Sequence, residues 1–215
     1  MNLIDLLVSS EERETVSARI SGVVVGVVTN NQDPDGMSRV KVKFPWLSDA
    51  DESFWARVAA PMAGNQRGFY FLPEVEDEVL VAFEHGDPRF PYVVGALWNG
   101  KDAPPATNDD GKNNIRVIKS RSGHVIRLID EDGKEKIEII DKSTKNSVVF
   151  DTANNTITIT TDKDIVLSAA QGTIKLDAQN IDIKSSADTK IESGAGMDVK
   201  ASAAMNIKGQ AVNIN

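Results

Sequence analysis

The 215-residue sequence predicts an all-β protein: an N-terminal OB-fold barrel followed by a C-terminal intertwined triple-stranded β-helix that three copies of the chain build together. Two observations carry this prediction. The first hundred residues contain several short stretches of alternating or β-branched apolar residues, which is typical of a small barrel. From Ile157 onward, pairs of apolar residues recur about every eight positions, a spacing that suits neither a helix nor an ordinary hairpin.

The composition argues against several classes of function. The net charge of −8 argues against an electrostatic contact with nucleic acid or anionic lipid. Cysteine is absent, so the chain has neither a disulfide framework nor a cysteine-based metal site. No run of 18 apolar residues exists, so no segment is predicted to cross a membrane as a helix. With 40% hydrophobic and 26% charged residues, the composition is that of an ordered chain.

The sequence divides into five predicted segments. An N-terminal segment at residues 1–16 precedes the OB-fold domain at 17–100, a linker at 101–113, a β-rich collar at 114–155 and the octad-repeat needle at 156–215. The composition changes along these segments, because all eight prolines lie at or before Pro105 and the last aromatic residue is Phe150. The C-terminal part therefore cannot build an ordinary core from bulky rings.

Each barrel strand is predicted from its own pattern. In RVKVKF, Val40, Val42 and Phe44 alternate with Arg39, Lys41 and Lys43, so the first three face a core and the cations face outward. Proline and glycine in NNQDPDGM predict a turn before this strand. The strands are predicted at residues 21–30, 39–44, 54–60, 78–83 and 92–98. In the collar they are predicted at 115–118, 124–129, 136–140 and 148–150, with a hairpin turn at 131–133.

Each repeat of about eight residues, or octad, supplies an apolar pair that needs other segments to form a core. Two apolar residues separated by one polar residue point to the same side of an extended chain, and the intervening small or polar residues can turn a corner. Either a one-chain solenoid or a three-chain prism buries such pairs; the lack of a longer period favours three chains. The predicted trimer-core residues are Ile157, Ile159, Ile165, Leu167, Ile174, Leu176, Ile181, Ile183, Ile191, Met197, Val199, Met205, Ile207, Val212 and Ile214.

Several longer motifs resemble one protein family. RVKVKFPWL, GFYFLPEVEDEVLVAF and GDPRFPYVVGALWNG, followed by IKSRSGHVIRLIDEDGKEKIEIID and the octads, are similar to the baseplate V / VgrG-like central spikes of contractile injection systems. The resemblance implies a homotrimer that pierces a target envelope when a sheath contracts. It also implies baseplate and tube proteins, a hub protein at the barrel end and a PAAR-like tip protein at the other end. The target membrane would be contacted only transiently.

The resemblance also implies contact sites and a location. Only the short segment at residues 1–16 precedes the barrel, so we expect the hub to be a separate protein, contacted through Leu3, Leu6 and Leu7; these residues could equally form a helix that caps their own barrel. The tip protein is expected at Asn213, Ile214 and Asn215. The protein is expected to assemble in the cytoplasm and to become part of a phage tail or a phage-tail-like particle, extracellular or cell-anchored.

No catalytic residue, metal site or cofactor is predicted. Asn31, Asp33 and Asp35 imitate the start of a calcium loop, but Val42 stands where a bidentate Glu is needed, which favours a turn. The acidic stretch at residues 74–78 is also best interpreted as a solvated turn, and His85 and His124 as structural residues. A trimeric tail fibre or adhesin is the alternative function, and a β-solenoid carbohydrate-active enzyme is a weaker one.

Overall fold

A computed structural model describes residues 19–47 and 52–214, so the predicted contacts at Leu3, Leu6, Leu7 and Asn215 lie outside the described residues. The described secondary structure is all-β, as predicted, with one 3-10 turn at Glu84–Gly86. The strands are β1 Val23–Asn30, β2 Lys41–Lys43, β3 Arg57–Val58, β4 Ala63–Gly64, β5 Arg67–Gly68, β6 Glu78–Phe83, β7 Pro91–Ala96, β8 Ile115–Lys119, β9 Val125–Ile129, β10 Lys136–Ile140, β11 Ser147–Asp151 and β12 Thr156–Thr160.

The N-terminal strands form a five-stranded sheet in the order β2-β1-β6-β7-β3. All its pairs are antiparallel except β3 with β7, which is parallel. A single bridge brings the two edge strands together: the Val40 amide donates to the Ala56 carbonyl at 3.0 Å, and the Ala56 amide donates back at 2.7 Å. The sheet therefore curls as an OB-type domain does, which confirms the predicted class of the N-terminal half.

One side of this sheet forms the core. Residues alternate between core and surface along β6, because successive side chains of a strand point to opposite faces. Gly26 shows how close the strands lie, since a β-carbon there would clash with Cγ1 of Val42. The rings of Phe44 and Phe83 lie 5.7 Å apart and close the core. The buried residues are Val28, Val40, Val42, Phe44, Ala56, Val79, Val81, Phe83 and Val93.

The collar strands form a second five-stranded sheet, in which β8 to β12 follow one another as an antiparallel meander. Short turns join them. The amide of Lys134 donates to the carbonyl of Glu131 at 2.8 Å in the predicted turn, where Gly133 has a φ of 74°. Residues 156–160, which begin the predicted needle segment, form β12, an edge strand of this sheet. Each strand of the collar thus pairs with its neighbour in sequence.

The chain divides into two compact units at Lys163 and Asp164, and the second unit is described here by itself. Among residues 164–214 no strand is assigned, and every described residue is exposed. Three ion pairs nevertheless indicate a locally extended chain: Lys175 with Asp177 at 3.4 Å, Lys190 with Glu192 at 2.7 Å and Lys200 with Asp198 at 3.6 Å. Within the described residues, no helix has the length and apolar content needed to cross a membrane.

Candidate assembly surfaces

One face of the collar sheet is apolar across its central strands, and Arg116 is the charged residue at its β8 edge. Because paired residues of neighbouring strands point to the same side of a sheet, the strand register defines this face. One row runs through Ile118, Ile126, Ile139, Val148 and Ile159. The next row runs through Leu128, Ile137, Phe150 and Ile157. We call these nine residues the apolar collar face. They stay accessible in the single chain, with Ile139 48% exposed.

The other face of the collar sheet carries charges in pairs. Arg127 on β9 and Glu138 on β10 form an ion pair at 2.5 Å, and Lys136 on β10 pairs with Asp151 on β11 at 3.2 Å. These pairs are partly buried, since the side chains of Glu138 and Asp151 are 14% and 15% exposed. The same face also carries half-buried apolar residues, namely Val117, Val125, Ile129, Ile140 and Val149. The two faces therefore differ on the central strands β9 to β11, where the ion pairs lie on this face and the apolar collar face carries apolar side chains.

The predicted trimer-core residues begin on this apolar collar face. Ile157 and Ile159, the first two of them, lie on β12 at its edge. Farther along the chain, Leu176, Ile191 and Val199 are each bracketed by one of the three ion pairs of the second unit. In an extended chain, residues i and i+2 share a side and the residue between them points to the other.

Ile183 shows how accessible these core residues are in the single chain, where its side chain is 71% exposed. The remaining predicted core residues are accessible in the same way, including Ile165, Leu167, Ile174, Ile181, Met197, Met205, Ile207, Val212 and Ile214. Their burial in a trimer stays a prediction.

The barrel end at which the described chain begins carries a cluster of charges. The amide of Ile20 donates to the carbonyl of Gly86 at 2.9 Å, which fixes the incoming chain to the 3-10 turn. Arg89 pairs with Asp87 at 2.6 Å and lowers the pKa of that carboxyl group to about 2. Phe90 is half-exposed beside them.

The turn predicted at residues 31–36 is confirmed, and its carboxylate has a structural role. Asp33 accepts five hydrogen bonds, two of them from the guanidinium of Arg39 at 2.9 and 2.7 Å and three from the backbone amides of Asp35, Met37 and Arg39. Its side chain is 3% exposed. Both oxygens are therefore occupied by donors of the chain itself. The side chain of Arg39, which was predicted to face outward from the core, binds the carboxylate of this turn.

We expect the Asp33–Arg39 pair to make the barrel acid-sensitive. The hydrogen bonds from the Arg39 guanidinium hold the pKa of Asp33 well below its usual range. A carboxyl group with a lowered folded-state pKa contributes stability that is complete above its unfolded pKa, about 3.9, and is lost as pH falls through the folded value. Asp33→Asn should therefore lower the melting temperature at pH 7, and this deficit should shrink as pH falls below about 4.

Thermal unfolding between pH 7 and pH 2, followed by tryptophan fluorescence, measures this effect. Asp132→Asn is the matched control, because Asp132 is an exposed residue of the collar turn, away from the barrel. An Asp33→Asn variant whose deficit at pH 7 persists unchanged at pH 2 would contradict the proposed role of the carboxylate.

Other charged residues of the barrel also have partners. Glu74 pairs with Arg121 of the collar at 2.7 Å, and Asp77 accepts the backbone amide of Glu74 at 2.8 Å, so the acidic stretch is a turn as predicted. Lys41 pairs with Glu52 at 3.0 Å. Among the described residues, no group of three or more histidine, cysteine, aspartate or glutamate side chains is arranged to hold a metal ion.

One feature of the barrel is absent from the sequence prediction. A hairpin of two-residue strands, β4 and β5, lies between β3 and β6. Its residues are small or polar, and two-residue strands are too short for a period to be recognised. The signal in the sequence is Gly68, whose φ of 148° suits glycine and whose β-carbon would be 2.5 Å from the Met62 carbonyl oxygen. The hairpin presents Phe69, Tyr70 and Phe71, which are exposed.

Comparison with known proteins gives the barrel a family context. Residues 24–98 match the model of the Type VI secretion system/phage-baseplate injector OB domain. The chain is 30% identical over 149 residues to the Type VI secretion system spike protein VgrG3 of Vibrio cholerae, an alignment covering 64% of this chain and 15% of the relative. It is 31% identical over 135 residues to the actin cross-linking toxin VgrG1 of Vibrio cholerae, covering 59% and 12%.

A third relative is the Type VI secretion system spike protein VgrG1a of Pseudomonas aeruginosa, 28% identical over 145 residues, covering 62% of this chain and 23% of the relative. The chain thus spans less than a quarter of the length of each of these three relatives. The range that matches the injector OB domain includes the motifs RVKVKFPWL and GFYFLPEVEDEVLVAF, and the predicted resemblance is confirmed.

Proposed function

We propose that three copies of this chain, as a VgrG-like baseplate spike protein, form the central spike of a contractile injection machine. The spike would pierce a target envelope mechanically when the sheath contracts, and it would link the tube hub to a tip protein. No catalytic step is part of this proposal. The relatives named as spike proteins support the role, and the assembly is argued from the surfaces of the chain itself.

The apolar collar face is the observation that carries the proposal. Nine Ile, Leu, Val and Phe residues lie in two adjacent rows on one side of the sheet, while ion pairs lie on the other side. Burying a side chain of this size contributes about 1.5–3 kcal/mol. Three such faces around one axis would cover one another and leave the ion pairs on the outer side of the assembly.

The octad pairs would extend the same core along the axis. The first of them, Ile157 and Ile159, lie on β12 and belong to the apolar collar face. Each layer would receive one apolar pair from every chain, and neighbouring strands would belong to different chains. This arrangement is consistent with the lack of assigned strands at residues 164–214 of the single chain, because a strand needs a hydrogen-bonded partner.

The two ends of the spike are assigned by their position in the chain. The hub protein would contact the barrel end near Arg19 and Phe90, together with Leu3, Leu6 and Leu7. The PAAR-like tip protein would contact Asn213, Ile214 and Asn215. Baseplate and tube proteins would surround the hub end, and the assembled spike would belong to a phage tail or a phage-tail-like particle. The wall of the needle would present lysine and acidic residues to solvent.

The mass of the purified chain in solution tests the proposal. We expect light scattering at micromolar concentration to give three times the chain mass of 23.3 kDa. The trimer should also migrate intact in SDS without heating and dissociate after boiling, because its core would be shared by all three chains. A stable, well-folded monomer of 23.3 kDa under the same conditions would contradict the proposed assembly.

A further inference from the structure

We propose that the barrels of neighbouring chains contact each other head to tail, through two different surfaces of the same chain. One surface is the outer side of β1 and β6, and the other is the aromatic segment that follows the β4–β5 hairpin. This inference rests on the proposed trimer, and it assigns the barrel residues that would hold neighbouring copies together.

The outer side of β1 and β6 is apolar where a barrel exterior is usually polar. Val24, Gly26 and Val28 of β1 point toward the core, so Val23 and Val25 point outward. Val23 pairs across the sheet with Ala82, and Val25 with Leu80. Val25 is 40% exposed in the single chain. A strand that is apolar on both sides is typical of one covered on both sides. We call Val23, Val25, Leu80 and Ala82 the outer valine face.

The second surface is the aromatic segment, defined as Phe69, Tyr70 and Phe71. Three consecutive aromatic side chains are exposed there, and Tyr70 is 72% exposed. The hairpin holds the beginning of this segment, because the amide of Phe69 donates to the carbonyl of Met62 at 3.0 Å. Aromatic side chains on a fixed backbone are frequent contributors to protein interfaces, since they bury a large area with few rotatable bonds.

The identity of the partner follows from three further observations. The two surfaces lie on one chain and are different from each other, one formed by strand residues and the other by the segment after the hairpin, and a head-to-tail interface that closes into a ring uses two different surfaces of each chain. The collar and needle would tether three barrels to one axis and raise their effective concentration. Charge also matches: Arg67 of the hairpin forms no ion pair with a described residue, and Glu78 lies beside the outer valine face with Asn99 as its described side-chain partner.

The absence of cysteine from the chain allows a direct cross-linking test. We would introduce Val25→Cys and Tyr70→Cys together, treat the purified full-length protein with a short bismaleimide, and boil the sample in SDS under reducing conditions. The head-to-tail contact predicts a covalent trimer, because every chain supplies one cysteine to each of two neighbours. The two single variants are the controls, and each should remain monomeric after boiling, since neither surface would contact its own copy.

The possible outcomes distinguish the head-to-tail contact of the barrels from the proposed trimer as a whole. A covalent trimer in the double variant alone supports the head-to-tail contact. A double variant that keeps the trimer mass in solution but forms no inter-chain cross-link overturns the head-to-tail contact, while the proposed trimer stands. This holds whether the outer valine face is covered by solvent, by the hub or by residues 1–18. Covalent dimers in a single variant would indicate a self-contact and also overturn it. A wild-type chain that is monomeric in solution overturns the proposed function first.

A matched substitution pair provides a second measurement that does not depend on cross-linking. Arg67→Glu should lower the midpoint of heat dissociation of the trimer, and adding Glu78→Arg should restore part of the loss if the two side chains face each other across the interface. Losses in the two single variants that simply add in the double variant would contradict the contact between these residues.

Discussion

Replacing Ile159 by Asp should convert the trimer into monomers. Ile159 lies on the apolar collar face, and in the proposed assembly its side chain from each of the three chains points to the shared axis. Three carboxylates would then be buried close together, and removing each from water costs several kcal/mol with no cation present to offset it. We therefore expect the mass of a single chain, 23.3 kDa, in place of the trimer mass at micromolar concentration, and loss of the band that resists SDS.

Thr158→Asp is the matched control for this variant. Thr158 is the neighbouring residue of β12 and points to the other face of the sheet, so the same new side chain would lie in solvent. The control should remain trimeric and melt within a few degrees of the wild type. If Ile159→Asp also kept its trimer mass, Ile159 would not point to a shared core, and the proposed assembly would have to be given up.

The second large effect is expected inside the barrel. Phe83→Ala should destabilise the OB-type domain by about 3–5 kcal/mol, because the deletion removes a buried ring and leaves a cavity next to Phe44. Domains of this size have a free energy of unfolding of roughly 5–15 kcal/mol, so the variant would retain a small part of it. Urea unfolding followed by tryptophan fluorescence measures the barrel selectively, since Trp46, Trp55 and Trp98 are the three tryptophans of the chain.

Phe90→Ala provides the comparison, because it deletes the same side chain at a half-exposed position of the adjoining turn. Its cost should stay below about 1 kcal/mol, as for most substitutions on a surface. Equal losses for the two variants would mean that the ring of Phe83 does not fill the barrel core. The trimer mass should be unchanged in both, because the core of the proposed assembly lies in the collar and needle.

The strands were predictable wherever burial on one side imposes a period on the sequence. The alternation in β6 and the β-branched run in β1 predict their strands within two residues. The β4–β5 hairpin was missed because its small and polar residues carry no period. The role of Arg39 was also missed: alternation indicates that its side chain leaves the core, but it cannot indicate that the left-handed backbone of Ser38 and Gly36 returns the chain to Asp33.

The assembly surfaces were predictable in part, for a related reason. The octads indicate which residues need a partner, and in the single chain these residues are accessible. In the proposed trimer the partner belongs to another chain, so it cannot be located in one sequence. The apolar collar face could not be predicted as one surface, since it depends on the register of five strands and the sequence pattern gives only the sides within each strand. The predicted segment boundaries and the trimer-core residues stay predictions.

The local pairing of the collar has a consequence for how three chains would find their alignment. The octads are nearly alike, so three chains shifted by one repeat relative to each other would still bring apolar pairs together. The resulting trimers would be staggered, with unpaired repeats at their ends. The collar meander does not repeat, and every strand in it pairs with its neighbour in sequence, which is the kind of topology that forms quickly within one chain. Three preformed apolar collar faces would meet in one alignment only. This alignment would set the register of the three octad segments before they pair.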